Sequence, residues 1–112
     1  MVEFEEKEIN GVKLLAVSGR LDVNAVEQIG DDLKQRAGQD QIKVILDLTE
    51  VDYLSSRGLG LLIELSQTNG RAGGMLRLVS VHPLVNEVLE ITGSRELFSI
   101  HDSVEDALRS LK

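Results

Sequence analysis

The stretch 42–48, Ile-Lys-Val-Ile-Leu-Asp-Leu, constrains the fold more than any other part of the chain. Ile42, Val44, Leu46 and Leu48 fall on one side of a period-two strand, and Ile45 puts a large apolar group on the other. A strand apolar on both sides belongs inside a sheet that is covered on both faces. The flanking patterns supply the cover. Before it, Val26, Ile29, Leu33 and Ala37 recur at helical spacing, with Asp22 or Asn24 as the candidate N-cap and Gly38 at the stop. After it, 51–56 reads as a short loop. The run Gly-Leu-Gly-Leu-Leu-Ile-Glu-Leu over 58–65 then reads as a buried helix ending near Asn69-Gly70.

The remaining elements follow from the same periodicities. Strands over 4–9 and 12–18 flank Asn10-Gly11, the dipeptide that two-residue hairpin turns favour. A further strand covers 75–81. His82-Pro83 opens a third helix with Val85, Val88 and Leu89 inward, stopping at Gly93. A short extended piece occupies 97–100. A last helix follows Asp102, with Val104, Ala107, Leu108 and Leu111 on one face. The expectation is a single α/β domain over 1–112. It has a mixed four- to five-stranded sheet, an N-terminal antiparallel hairpin, then parallel β-α units and about four helices.

Composition narrows the function. Twelve basic against nineteen acidic residues leave a net charge of −7, and one tyrosine with no tryptophan leaves few rings for stacking bases. Both argue against nucleic acid and against an anionic membrane surface. They favour a partner with a basic patch. The longest apolar run, 59–65, is broken by Gly60 and Glu64 and is far shorter than the roughly 20 residues a membrane-spanning helix needs. The acidic start Met1-Val2-Glu3-Phe4-Glu5-Glu6 has no apolar signal core, and the chain has no cysteine. The expectation is a cytoplasmic protein without a thiolate metal site or cofactor.

In a parallel sheet the loops after successive strands emerge at the carboxyl edge, where α/β proteins meet ligands and partners. This places Asp22, Ser55, Ser56 and His82 on one edge. Ser55-Ser56-Arg57-Gly58 opens the second helix, so Ser55 or Ser56 can serve simply as its N-cap. The functional alternative takes Ser56, its hydroxyl capping the helix at an accessible rim, as a modified serine. A phosphate there would meet unpaired N–H groups and the positive end of the helix dipole. Asp22 likewise reads either as a plain cap or as part of the same surface. Ser56, His82 and Asp22 are the residue types of a catalytic triad. No nucleophile-elbow motif accompanies them, His82-Pro83 reads as a helix start, and the expectation is not an enzyme. The glycines at 58, 60, 70, 73 and 74 lack the Gly-Lys-Ser/Thr ending of a phosphate-binding loop. Gly58 and Gly60 read instead as points of close helix–sheet approach.

The segment Val51-Asp52-Tyr53-Leu54-Ser55-Ser56-Arg57-Gly58-Leu59-Gly60 resembles the signature of the STAS domain of bacterial anti-sigma factor antagonists. Val17-Ser18-Gly19-Arg20-Leu21-Asp22 is similar to that family's other motif, a Gly-x-Leu-Asp turn before the first helix. The resemblance implies partner switching in transcription regulation. The unmodified antagonist binds an anti-sigma factor that is also a serine kinase, the kinase phosphorylates the serine two residues before the helix glycine, and a serine phosphatase reverses this. That serine is Ser56, and Asp22, Asn24, Ser55 and Arg57 would form the contact around it. Two positions depart from the pattern: Ser55 stands where many antagonists carry Asp, and Arg57 where the residue is usually small. The alternative reading is a constitutive STAS scaffold subunit of a signalling or lipid-transport assembly, without phosphorylation.

Overall fold

The computed structural model describes residues 2–79 and 81–112. Among these residues the chain runs β1 (Glu3–Ile9), β2 (Val12–Leu21), α1 (Val23–Ala37), β3 (Lys43–Leu54), α2 (Ser56–Arg71), β4 (Met75–Val79), α3 (Pro83–Ile91), a 3-10 turn (Arg95–Leu97), β5 (Ile100–His101) and α4 (Val104–Ser110). The described strands form one five-stranded sheet in the order β1-β2-β3-β4-β5. β1 and β2 are antiparallel about the Asn10-Gly11 turn, where both residues take positive φ, and every later pairing is parallel.

A sheet whose parallel strands follow in sequence order places all its right-handed crossovers on one face. α1, α2 and α3 accordingly share that face. Leu15, Val17, Val44, Leu46, Leu48 and Leu78 of the strands pack there against Ile29, Leu33, Leu61, Leu62, Leu65, Val85 and Leu89. The terminal α4 takes the other face, with Ala107 and Leu111 against Val12, Leu14, Ile45 and Val79. Ile45, the apolar residue that broke the period-two pattern of 42–48, thus joins Val12, Leu14 and Val79 under this second layer. Each fully buried Leu or Ile contributes about 1.5–3 kcal/mol relative to exposure. Between α1 and α2, Lys34 Nζ lies 3.1 Å from Glu64 Oε2, and that hydrogen bond holds the ammonium above its ordinary pKa. Edge strand β1 carries Glu3, Glu5, Glu6, Lys7 and Glu8, a charge density that discourages pairing with another edge.

Several local expectations are corrected. Residues 51–54 are strand rather than loop: β3 runs on to Leu54 beside a β2 that runs on to Leu21. β4 ends at Val79 rather than at 81, and Ser80 lies outside the described residues. The 97–100 piece is a 3-10 turn over Arg95–Leu97 that precedes a two-residue β5. α2 runs from Ser56 to Arg71, starting two residues before Gly58 and ending, as expected, beside Asn69-Gly70. Asn69 is buried inside that helix, where its Nδ2 donates to Ala37 O at 3.0 Å and Ile42 O at 3.1 Å. It ties the end of α1 to the approach to β3. α4 follows Asp102 as expected and is capped by Ser103, whose hydroxyl accepts from the Asp106 N–H.

Candidate functional site

The β2–β3 ladder outlasts the rest of the sheet. β3 pairs with β4 only as far as Asp47, but with β2 as far as Leu54. The seven further residues of β3 carry its end roughly 20 Å beyond the β4 ladder at about 3.3 Å per residue. The β2 and β3 ends therefore extend past the other strands of the sheet, with Leu21, Leu48, Val51 and Leu54 buried in the same core as the helices. Because the strand order never reverses, there is no crevice of the kind that a reversal opens in doubly wound sheets.

The end of β2 is tied to the start of α2 at one carbonyl. Leu21 O accepts from the Ser55 backbone N–H at 3.0 Å and from the Ser55 hydroxyl at 3.1 Å. The same Ser55 oxygen accepts from Gly58 N–H at 3.1 Å, so Ser55 is the N-cap of α2. Ser56 is the first helical residue and does not cap, which corrects the reading that its hydroxyl does so. Gly58 is tight against the same point: a Cβ there would lie 2.2 Å from Leu21 O. Gly60 has nothing within 4 Å of such a Cβ, so close packing accounts for Gly58 and not for Gly60.

On the other side of the junction, Asp22 caps α1, its Oδ1 accepting from Ala25 N–H at 3.0 Å; Asn24 sits exposed in the first turn and is not the cap. Ser55 is bonded to Leu21, so its neighbour Ser56 and Leu21's neighbour Asp22 are brought to one rim. Ser56 and Arg57 are exposed, Ser55 and Asp22 half-buried. Among the described residues the Ser56 hydroxyl makes no hydrogen bond. The five residues expected from the sequence thus occupy one junction.

Two residues escaped the sequence reading. Arg20 and Tyr53 are register partners, and the Arg20 guanidinium carbon lies 3.8 Å from the Tyr53 ring centroid. Arg20 Nε is 4.0 Å from Asp22 Oδ2. The signal was present in the parallel register itself, since each residue immediately precedes the buried leucine that ends its strand. Beside them a shallow cleft of about 220 Å³ is lined by Val2, Arg20, Asp22, Asn24, Ala25 and Gln28. That is smaller than the roughly 300–1,000 Å³ usual for small-molecule sites. His82 is engaged elsewhere: its Nδ1 accepts from Leu84 N–H at 3.1 Å as the cap of α3, with Pro83 at the first helical position. No helix among the described residues is long and apolar enough to cross a membrane.

A β-β-α-β-α-β-α-β-α chain with a Gly-x-Leu-Asp turn apposed to a Ser-Ser-x-Gly helix start defines a recognisable class of domain. The family model for the STAS domain matches residues 3–107. BtrV of Bordetella bronchiseptica, which carries the name of an anti-sigma factor antagonist, is 30% identical over 104 residues, covering 93% of this chain and 90% of that protein. The anti-sigma F factor antagonist of Paenibacillus polymyxa is 23% identical over 112 residues, covering 99% and 96%. The crystal structure of an anti-sigma factor antagonist from Mycobacterium paratuberculosis superposes with a TM-score of 0.86 at 22% identity, covering 99% of this chain and 94% of that one. The chain belongs to the STAS domain family.

Proposed function

We propose that the chain is an anti-sigma factor antagonist that docks an anti-sigma factor serine kinase on the Leu21–Ser55 junction and is released when Ser56 is phosphorylated. The observation that carries this reading is the division of labour between two adjacent serines. Ser55 spends its hydroxyl on Gly58 N–H and Leu21 O, whereas Ser56 is exposed with an uncommitted hydroxyl. Phosphorylation at Ser56 therefore breaks nothing that holds the fold. The Ser56 oxygen forms a bond to the γ-phosphorus of ATP, the bond from that phosphorus to ADP breaks, and the hydroxyl proton leaves. The product carries about −1.5 to −2 charge at neutral pH beside a helix N-terminus that tolerates it. A partner that fits the neutral rim then meets a solvated dianion. Since about 1.4 kcal/mol is tenfold in affinity, a repulsion of a few kcal/mol releases it. A serine phosphatase restores binding by hydrolysing the phosphoester. Asp22, Asn24, Ser55 and Arg57 shape the contact, and a kinase partner that uses ATP fits a cytoplasmic protein.

The test is incubation with the cognate kinase and ATP, followed by mass spectrometry of native, Ser56→Ala and Ser55→Ala proteins. Modification lost only in Ser56→Ala supports the reading. A phosphate on Ser55, or none with a kinase that modifies other antagonists, removes Ser56 from the switch.

A further inference from the structure

Arg20 is held weakly and displayed openly. One face of its guanidinium lies on the Tyr53 ring, 3.8 Å from the centroid. Its ionic contact with Asp22 is 4.0 Å long and its side chain is 61% exposed, the marks of a surface pair that contributes little. Asp22 meanwhile commits its other oxygen to Ala25 N–H. Arginine has five N–H donors, and the stack leaves most of them directed at solvent. Arg57 adds a second exposed guanidinium in the first turn of α2, next to Ser56. Two exposed guanidinium groups thus belong to the elements that meet at this junction, in a chain whose net charge is −7. The junction links Arg20 and Ser56 through the backbone. Leu21 O is bonded to Ser55, so Arg20 and Ser56 are each one residue from the two ends of that bond, with neighbouring Cα atoms about 3.8 Å apart.

We propose, resting on the reading of Ser56 given above, that Arg20 is the in-chain receptor for the Ser56 phosphate, swinging from Asp22 to pair with it while Arg57 supplies a second donor. A phosphate dianion offers three acceptor oxygens in the geometry a guanidinium fork matches, and so outcompetes a single solvated carboxylate at the limit of contact. The rim then changes twice on modification. It gains a dianion, and it loses the guanidinium stacked on Tyr53, so a partner that had packed on the Arg20–Tyr53 pair loses that contact as well. Tyr53 is the single tyrosine of a chain without tryptophan, which makes its emission a local report of the stack.

The experiment uses full-length protein with phosphoserine installed at position 56 during synthesis, so no kinase is needed. The phosphate is titrated by phosphorus NMR in the native sequence and in Arg20→Gln, Arg20→Lys and Arg57→Gln. A nearby guanidinium favours the dianion, so the second ionisation in the native sequence falls about half a pH unit or more below that in Arg20→Gln. Arg20→Lys keeps part of that shift. Tyr53 emission differs between modified and unmodified native protein, and does not differ in Arg20→Gln. Equal titration in native and Arg20→Gln proteins overturns the proposal, as does a shift that only Arg57→Gln abolishes. A kinase that ignores Ser56 would sink the switch and leave this measurement standing; equal titration would sink the receptor and leave the switch standing.

Discussion

Gly58→Ala tests whether the helix start is really pressed against the Leu21 carbonyl. The new Cβ would lie 2.2 Å from Leu21 O and 3.0 Å from both Leu21 C and Leu21 Cβ. The obstructing atom is backbone and already accepts two hydrogen bonds from Ser55, so it cannot turn aside without disturbing both. The start of α2 must move instead. Overpacking of this kind costs about 1–3 kcal/mol. Stretching the Ser55 bonds adds about 1 kcal/mol. Alanine's better helix propensity returns about 1 kcal/mol. The net loss is about 2 kcal/mol, and with a urea slope of about 1.5 kcal/mol per molar the unfolding midpoint falls by about 1 M. Gly60→Ala is the internal control. It lies two residues along the same helix with nothing within 4 Å of its Cβ, so the propensity gain stands alone. Its midpoint rises by up to about half a molar. Urea unfolding followed by circular dichroism reads both. A Gly58→Ala midpoint at or above that of the native protein would refute the close approach and the junction built on it.

The two serines should separate in the same assay. Ser55→Ala removes the cap and loses about 1–2 kcal/mol, whereas Ser56→Ala stays within about 0.5 kcal/mol; equal losses would contradict the assignment of the cap. Asn69→Leu strips Ala37 O of its side-chain donor and leaves Ile42 O with the Met75 N–H alone, and should cost about 1–3 kcal/mol, read as a drop in thermal midpoint. Asp106 is held below its ordinary carboxylate pKa of 3.8, chiefly by its hydrogen bond from Arg109 and then by that with Ser103. Because the folded value is the lower one, its contribution to α4 is fully present above pH 3.8 and lost as pH falls through the depressed value. Cα chemical shifts of Val104–Ser110 should stay helical at pH 6 and move toward coil at the acid end, and an Asp106→Asn protein should lack that step.

What the sequence hid is as physical as what it displayed. The two-sided apolar pattern at 42–48 gave away the covered sheet, and Asn10-Gly11 gave away the hairpin, because both are period or turn signals within one element. The strand over 51–54 was invisible because its buried residues, Leu48, Val51 and Leu54, recur every three positions. The register explains this. Ala16 and Ser18 are two apart while their partners Asp47 and Glu50 are three apart, and Gly19 and Arg20 are adjacent while Val51 and Tyr53 are not. Each bulge inserts one residue and turns the next apolar side chain inward again. Asp47 stabilises the first, accepting from the Thr49 N–H at 3.0 Å. A period-two search reads such a strand as loop. Asn69 was hidden for the opposite reason. Asn-Gly near a helix end is a stop signal, and only the tertiary neighbours Ala37 and Ile42 turn it into a buried tie. That Asp22, Ser55, Ser56 and Arg57 come to one edge was legible from the element order, and their candidate role from the resemblance of the two motifs. The Arg20–Tyr53 stack was not, because it needs the bulged register to bring the two side chains opposite each other.

The departure at Ser55 can be weighed on the same junction. The family pattern often places Asp there, and an ionised carboxylate can accept from Gly58 N–H as the Ser55 hydroxyl does. It cannot donate to Leu21 O, which the Ser55 hydroxyl also does at 3.1 Å. Ser55→Asp would therefore lose a hydrogen bond worth about 1 kcal/mol and gain about 0.3–1 kcal/mol from a negative charge at a helix N-terminus. The two nearly cancel, so stability does not choose between them. Charge does. Relative to Asp followed by a small residue, Ser55 removes one negative charge beside Ser56 and Arg57 adds one positive. Both shifts make the rim more favourable to an anion, as an in-chain phosphate receptor requires. A Ser55→Asp, Arg57→Ser protein should keep its thermal midpoint within a few degrees. Its Ser56 phosphate should ionise at higher pH than in the native sequence, because a carboxylate replaces a guanidinium as its neighbour. An unchanged phosphate titration would mean that these two departures do not set the electrostatics of the rim.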